Sequence, residues 1–263
     1  MKSTRLPGDA MKELVEGGRL KRVDVLLTRS KRSLLGWLIR FGTKSYWNHA
    51  AMVYLIQNKE DGYHNTFIIE SGGAGIDIHN IGCYFKAPKR CDVGIKRLNM
   101  EWFQSGKVDY PRKVRGLALQ EIDDKYDYRM ILSIARRILR QLILGFMFPI
   151  LRFQPTERRR ARQPKVAKIF NVNAYICSGF VQWSYYTAVA SALEGDHSGN
   201  AKLEDVLFNE ALRTESVDED LLLSTTPADI ASCKELSWKY IIKDGVVWDV
   251  ASEEDVEAIL RSK

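Results

Sequence analysis

A cysteine, a histidine and a glutamate in this chain have the types and settings that nucleophilic catalysis requires. Cys177 lies in residues 173–181 (NAYICSGFV), where a short extended segment meets the start of a helical pattern. Unpaired N–H groups and the helix dipole at such a junction favour a thiolate. Ser178 and Gly179 would keep the helix start small and open to a substrate. The same position suits a buried core thiol, because free cysteine is among the most buried residue types. His49 opens one apolar run and Glu70 closes the next. If those runs pair as strands across the turn signal Asp61-Gly62, the imidazole and the carboxylate meet at one end of the ladder. The carboxylate would then hold the imidazole in one tautomer. A strand-edge histidine and a solvated glutamate are the plain alternative. His64, His79 and His197 fall in loops or exposed alternation and read as surface residues.

The elements that must position these groups follow from periodicity. Residues 23–27, 49–56, 66–70, 76–79 and 93–98 are short apolar or alternating runs and predict strands. Residues 33–41 between the first two have helical apolar spacing. The first hundred residues therefore predict a small, largely antiparallel sheet built from hairpins. Beyond residue 100 the period lengthens. Helices are expected over 110–122, with Pro111 in the first turn, over 128–144, and over 177–193. Shorter amphipathic helices are expected over 201–212 and 253–262, and a late hairpin at Asp244-Gly245 joins 237–242 to 246–250. The class is α+β, with one domain over residues 1–263 and one unusual insertion at about 136–168.

The ordered set Asp24-Val25-Leu26-Leu27, residues 48–53 (NHAAMV), Ile69-Glu70-Ser71, residues 125–128 (KYDY) and residues 175–181 (YICSGFV) resembles a known family. It is similar to the circularly permuted NlpC-like branch of the papain-like thiol hydrolases, which includes relatives of lecithin retinol acyltransferase. In that branch the histidine-bearing sheet precedes the cysteine helix, as here. The likeness runs from about residue 20 to 190, and Thr225-Thr226-Pro227-Ala228-Asp229 resembles the family's late Pro-Asp segment. The resemblance implies a permuted papain-like fold with Cys177 as nucleophile, His49 as general base and Glu70 as the group orienting His49. The backbone N–H of Cys177 would be one oxyanion donor, and Tyr126, which resembles the family tyrosine near the active site, would be the other. It further implies a cysteine-dependent hydrolase or acyltransferase acting on a small amide, a peptide or an acyl lipid through an acyl-thioester. Two departures stand out. Val23 occupies a place where the family often has glycine, which leaves Asp24 a structural role. The stretch between Tyr128 and Cys177 is also longer than the family needs.

That stretch concentrates the charge. Residues 136–168 hold ten basic side chains and one acid, Glu157, a local charge of +9 in a chain of +7. From Glu194 to Lys263 there are 17 acids and 7 bases, or −10. The protein is not diffusely basic. Inside the basic stretch lies residues 142–151 (LILGFMFPIL), with Phe146 and Phe148 flanked by Arg137, Arg140 and Arg152. Apolar residues between arginines suit an anionic bilayer interface. They equally suit a buried helix whose arginines pair with the acidic C-terminal third. Nucleic acid is the weaker alternative, because only the cluster of Arg158, Arg159, Arg160 and Arg162 speaks for it. An inactive scaffold using this segment as a membrane or nucleic-acid module is the competing functional class.

The rest of the composition bounds the answer. Residues 1–22 carry no apolar core of signal-peptide length. The four cysteines form no C-x-x-C pair and have no histidine at zinc-ligand spacing, so no metal or other cofactor is expected. A loop bridge between Cys83 and Cys91 is feasible but nothing demands it. The expectation is a cytoplasmic chain with reduced thiols, peripheral to a membrane if the basic segment docks there.

Overall fold

A computed structural model of the protein describes residues 4–5, 14–15, 18–56, 65–85, 90–122, 125–126, 174–195, 200–214 and 217–262. The elements in chain order are β1 (Thr4–Arg5), β2 (Val25–Ser30), α1 (Leu34–Thr43), β3 (His49–Ile56), β4 (Thr66–Gly72), β5 (Gly75–Asn80), α2 (Gly82–Phe85) and β6 (Cys91–Leu98). There follow α3 (Glu101–Ser105), α4 (Tyr110–Gln120), β7 (Lys125–Tyr126), β8 (Ala174–Tyr175) and α5 (Cys177–Glu194). A 3₁₀ turn (Leu203–Val206), α6 (Ala211–Thr214), α7 (Glu219–Leu223), α8 (Pro227–Ser232), β9 (Leu236–Lys243), β10 (Val246–Asp249) and α9 (Glu253–Arg261) complete it.

Eight strands form one sheet in the order β1-β10-β9-β6-β2-β3-β4-β5, each pair antiparallel. The fold is α+β, as the change of period near residue 100 predicts. Alternation along each strand sends side chains to both faces. Val25, Leu27, Ala50, Met52 and Ile69 join the core built on α5. Leu26, Ala51, Val53, Ile68, Val93 and Ile95 form a second, smaller core with Leu14, Leu20, Ile81 and Phe85. Central strands buried on both faces need near-continuous apolar runs, and residues 50–53 (AAMV) are one. Helix α5 packs against β3, β4, α4 and α7, and nearly all of its length is buried. An apolar surface all round is what a central helix requires.

Local chemistry fixes the element ends. Ser33 caps α1 by accepting the Gly36 N–H, and Asp109 caps α4 by accepting the Arg112 N–H. Asp244 and Gly245 both take positive φ, the geometry a two-residue hairpin between β9 and β10 needs. The late Pro-Asp segment is a helix start: Thr226 and Asp229 form a capping box with Pro227 in the first turn of α8.

Three expectations change. The first long strand begins at Val25 because Val23, at φ 61°, turns the chain in the left-handed region. Residues 201–212 are not one helix. They form a 3₁₀ turn and the short α6, because Gln182 on α5 bonds the backbone of Val206 and Phe208 there and holds the intervening chain open. Helices α2, α3 and α7 arise where no helix is expected, each too short to show a period. Cys83 and Cys91 are both free thiols. The expected helix over 128–144, the insertion at 136–168 and the Asp61-Gly62 turn lie outside the described residues.

Candidate active site

The site begins with the base. His49 is the first residue of β3, and the β3–β4 register sets Met52 opposite Ile69. Continuing that register puts Glu70 and His49 diagonally across the ladder, within reach of long side chains. His49 Nε2 lies 2.8 Å from Glu70 Oε2. With Nε2 held by the carboxylate, Nδ1 is the nitrogen left for another partner. Tyr84, from α2, donates its hydroxyl to the same Glu70 oxygen at 2.5 Å. Glu70 is therefore fixed from two sides. His79 is half-exposed and stands 4.0 Å from the other Glu70 oxygen.

The thiol comes from the opposite layer. Cys177 is the first helical residue of α5, preceded by the extended Ile176, which offers no side-chain cap. The first ladder bond of the helix runs from Phe180 N–H to Ile176 O, so the N–H groups before it are not spent on the helix. Ser71 Oγ donates to Tyr175 O at 3.0 Å, which ties β4 to the strand leading into Cys177. Tyr175 is also anchored by its hydroxyl on Glu121 and by ring contacts with Phe180 and Trp183. These contacts set the thiol against the start of β3.

The electrostatics couple the two layers. Burial opposes the Cys177 thiolate, but the His49 imidazolium, the Ala50 backbone and the Ser178 hydroxyl outweigh it, and the thiol falls below its ordinary 9.0. Ser178 Oγ is buried with no hydrogen-bond partner of ordinary geometry, which leaves it to the sulfur. Burial likewise opposes a charged imidazole. The Cys177 thiolate and the Glu70 carboxylate overcome that and push His49 up to about 10. Burial also works against the Glu70 carboxylate, but the bonds from His49 and Tyr84 win and its pKa drops. Each charge supports the other: the imidazolium lowers the thiol, and the thiolate raises the imidazole.

The structure thus brings Cys177, His49 and Glu70 together. The backbone of Tyr126 pairs in parallel with Tyr175, two residues from the thiol, while its side chain lies outside the described residues. Arg137, Arg140, Phe146, Phe148 and Arg152 lie outside them as well. One expectation is corrected: Ser178 and Gly179 are buried and do not form an open lip. A Cβ on Gly179 would stand 2.1 Å from Leu223 O, so glycine there permits the close approach of α7. Asp24 has a structural place. It is buried, accepts two hydrogen bonds from Arg97 at 2.6 and 2.7 Å, and receives the Lys21 N–H. Tyr84 and Ser71 escape sequence reasoning. Only the apolar setting of Tyr84 after Ile81-Gly82 marks it, and that reads as core.

Among the described residues no group of three or more His, Cys, Asp or Glu side chains is placed to hold a metal ion. A cavity lined by Glu101, Trp102, Lys107, Tyr110 and Asn200 shares no residue with the thiol cluster. Among the described residues no helix is long and apolar enough to cross a membrane. No family model and no curated protein matches the chain. A crystal structure of the metalloprotein yiiX from Escherichia coli O157:H7 is 15% identical over 83% of this chain and 95% of that one, with a TM-score of 0.38. A likeness at that level carries no argument about fold or activity.

Proposed function

We propose that the protein is a cysteine-dependent hydrolase or acyltransferase that opens an ester or amide bond, on a permuted papain-like arrangement. The observation that carries this is the charge-paired Cys177 and His49, with His49 held by a Glu70 that Tyr84 fixes in turn. A buried structural thiol has no use for an imidazole oriented by a carboxylate.

In this reading the Cys177 thiolate attacks the substrate carbonyl carbon. The developing oxyanion is met by the free N–H at the start of α5, with Tyr126 proposed as the second donor. His49 then gives its proton to the leaving amine or alkoxide as that bond breaks. An acyl-thioester remains and His49 is neutral. It takes a proton from water or a second nucleophile as that group attacks the thioester carbonyl; the C–S bond then breaks, the acid or the transferred acyl product departs, and a thiolate again faces an imidazolium. Glu70 keeps the Nε2–H tautomer throughout and stays ionised. The acyl donor is an acyl lipid, a peptide or a small amide.

A thiol-reactive activity probe tests the first step. Cys177 should label at neutral pH, and His49→Ala should slow that labelling sharply. Equal labelling of the two proteins would remove the dyad.

A further inference from the structure

Five large apolar side chains are exposed among the described residues, and four of them are on α1: Leu34 at 76%, Trp37 at 51%, Phe41 at 46% and Leu38 at 36%. Their spacing is i, i+3, i+4, i+7, one face of a helix. Trp37 and Phe41 stack on each other, with ring centroids 5.5 Å apart. The opposite face is the one that packs. Gly36 lies so close to Asn48 that a Cβ would stand 3.0 Å from its amide. Arg40 turns inward to Ser30 O and Asn48 Oδ1. The apolar stripe is therefore not an accident of a loose helix: the helix is clamped with these rings outward.

The surrounding charge is one-sided. From Val25 to Ile56 there are five basic residues and no acid. Lys31 is already matched, at 2.8 Å from Asp92 and 2.7 Å from Asp244. Arg32 before the helix and Lys44 at its C-cap are exposed. Arg90, exposed as well, sits beside the helix start, where its carbonyl accepts the Lys31 N–H. A contiguous exposed apolar patch on a soluble face marks a contact site. Trp, Phe and Leu ringed by Arg and Lys have the composition of a helix lying in a bilayer interface. A second copy is a poor occupant, since a two-fold contact would set these cations against themselves.

We propose that α1 is a membrane-docking helix, which lays Leu34, Trp37, Leu38 and Phe41 into an anionic bilayer surface with Arg32, Lys44 and Arg90 at the headgroups. The docking does not depend on the thiol chemistry. It places the bilayer beside the chain segment that enters β3 at His49, six residues after the helix ends.

Flotation of the full chain with phosphatidylcholine vesicles, with and without phosphatidylglycerol, tests it. The protein should float with the anionic vesicles and be released by salt. The triple variant Leu34→Ser, Trp37→Ser, Phe41→Ser should bind about tenfold more weakly or less still. Arg32→Gln with Lys44→Gln should weaken binding to the anionic vesicles alone. Cys177→Ala should bind as the wild type does, so loss of catalysis and loss of docking are read separately. Absence of flotation overturns the proposal. So does undiminished binding by the triple variant, which would assign any membrane contact to another segment. Self-association abolished by the triple variant, without flotation, would make the face a contact between copies. If the triple variant does not fold, the emission of Trp37, taken as the difference from Trp37→Phe, should be quenched by brominated lipid. Unquenched emission overturns the proposal.

Discussion

Cys177 and Cys233 are almost equally hidden, 4% and 6% exposed, yet their thiols move in opposite directions. Burial pushes both up. At Cys233, between α8 and β9, the neighbouring charge is the Glu235 carboxylate, 3.3 Å from the sulfur, and the shift stays upward. At Cys177 the neighbour is an imidazolium and the backbone is a helix start, and the shift turns downward. The lesson is that burial sets the size of the electrostatic stakes and the partner sets their sign. Lys96 shows the limit of that rule. It is buried under the carbonyls of Ile230, Ala231 and Cys233 and is held down to about 8, because desolvation outweighs the attraction of Cys233, Glu253 and Glu235.

The comparison can be broken most severely at the sulfurs themselves. Cys177→Ala should abolish turnover of ester or thioester substrates, a loss of about a thousandfold or more. Cys233→Ala should leave the rate unchanged, as measured by steady-state kinetics on the same substrates. Next comes the partner. His49→Ala should slow iodoacetamide labelling of Cys177 at neutral pH by about tenfold or more, because the thiol loses the imidazolium that lowers it. The sign is fixed by the shifts. The lowered Cys177 thiol is ionised above its folded pKa and loses its charge as pH falls through it, while His49 keeps its proton until about 10. The wild-type labelling profile should therefore rise below 9.0 and stay flat, and the variant profile should rise only near 9.0 or above.

Glu70→Gln is milder: about tenfold in rate, because the imidazole loses a charged anchor but keeps a hydrogen-bonding one. It also carries a stability signature. The Glu70 pKa is depressed, so the stability it contributes is complete above its ordinary 4.5 and is lost as pH falls through the folded value. The melting-temperature gap between wild type and Glu70→Gln should hold at neutral pH and close in acid. Tyr84→Phe should have the smallest effect, a few-fold fall in rate with little change in melting temperature, since Glu70 then keeps only the bond to His49.

Much of this site is legible in the sequence because its parts sit at element ends. His49 follows a polar turn and opens an apolar run, and Cys177 opens the longest helical pattern after the insertion. Periodicity locates both. Glu70 follows from hairpin pairing. What escapes is whatever depends on three-dimensional approach. Tyr84 reaches Glu70 from a four-residue helix that has no period to read. Ser71 meets a backbone carbonyl 104 residues away. Gly179 looks like an opening for substrate and is instead a packing notch for Leu223. On α1 the apolar spacing shows a helix but not which way the stripe points, because a core face and an outward face have the same pattern. The face only becomes clear from Gly36 and Arg40 turning inward.

Val23, one residue before the buried Asp24–Arg97 pair, holds a backbone angle that a β-branched side chain takes at a cost of about 1–2 kcal/mol. The chain order of the site has a larger consequence. During synthesis the hairpin that carries His49 and Glu70 emerges long before the thiol, and the joint between β4 and the approach to Cys177 closes a loop of 104 residues. Until α5 docks, Cys177 has neither its imidazolium nor its helix start, and it is a weak nucleophile like any free thiol. On the proposed reading, reactivity at Cys177 would report completed folding.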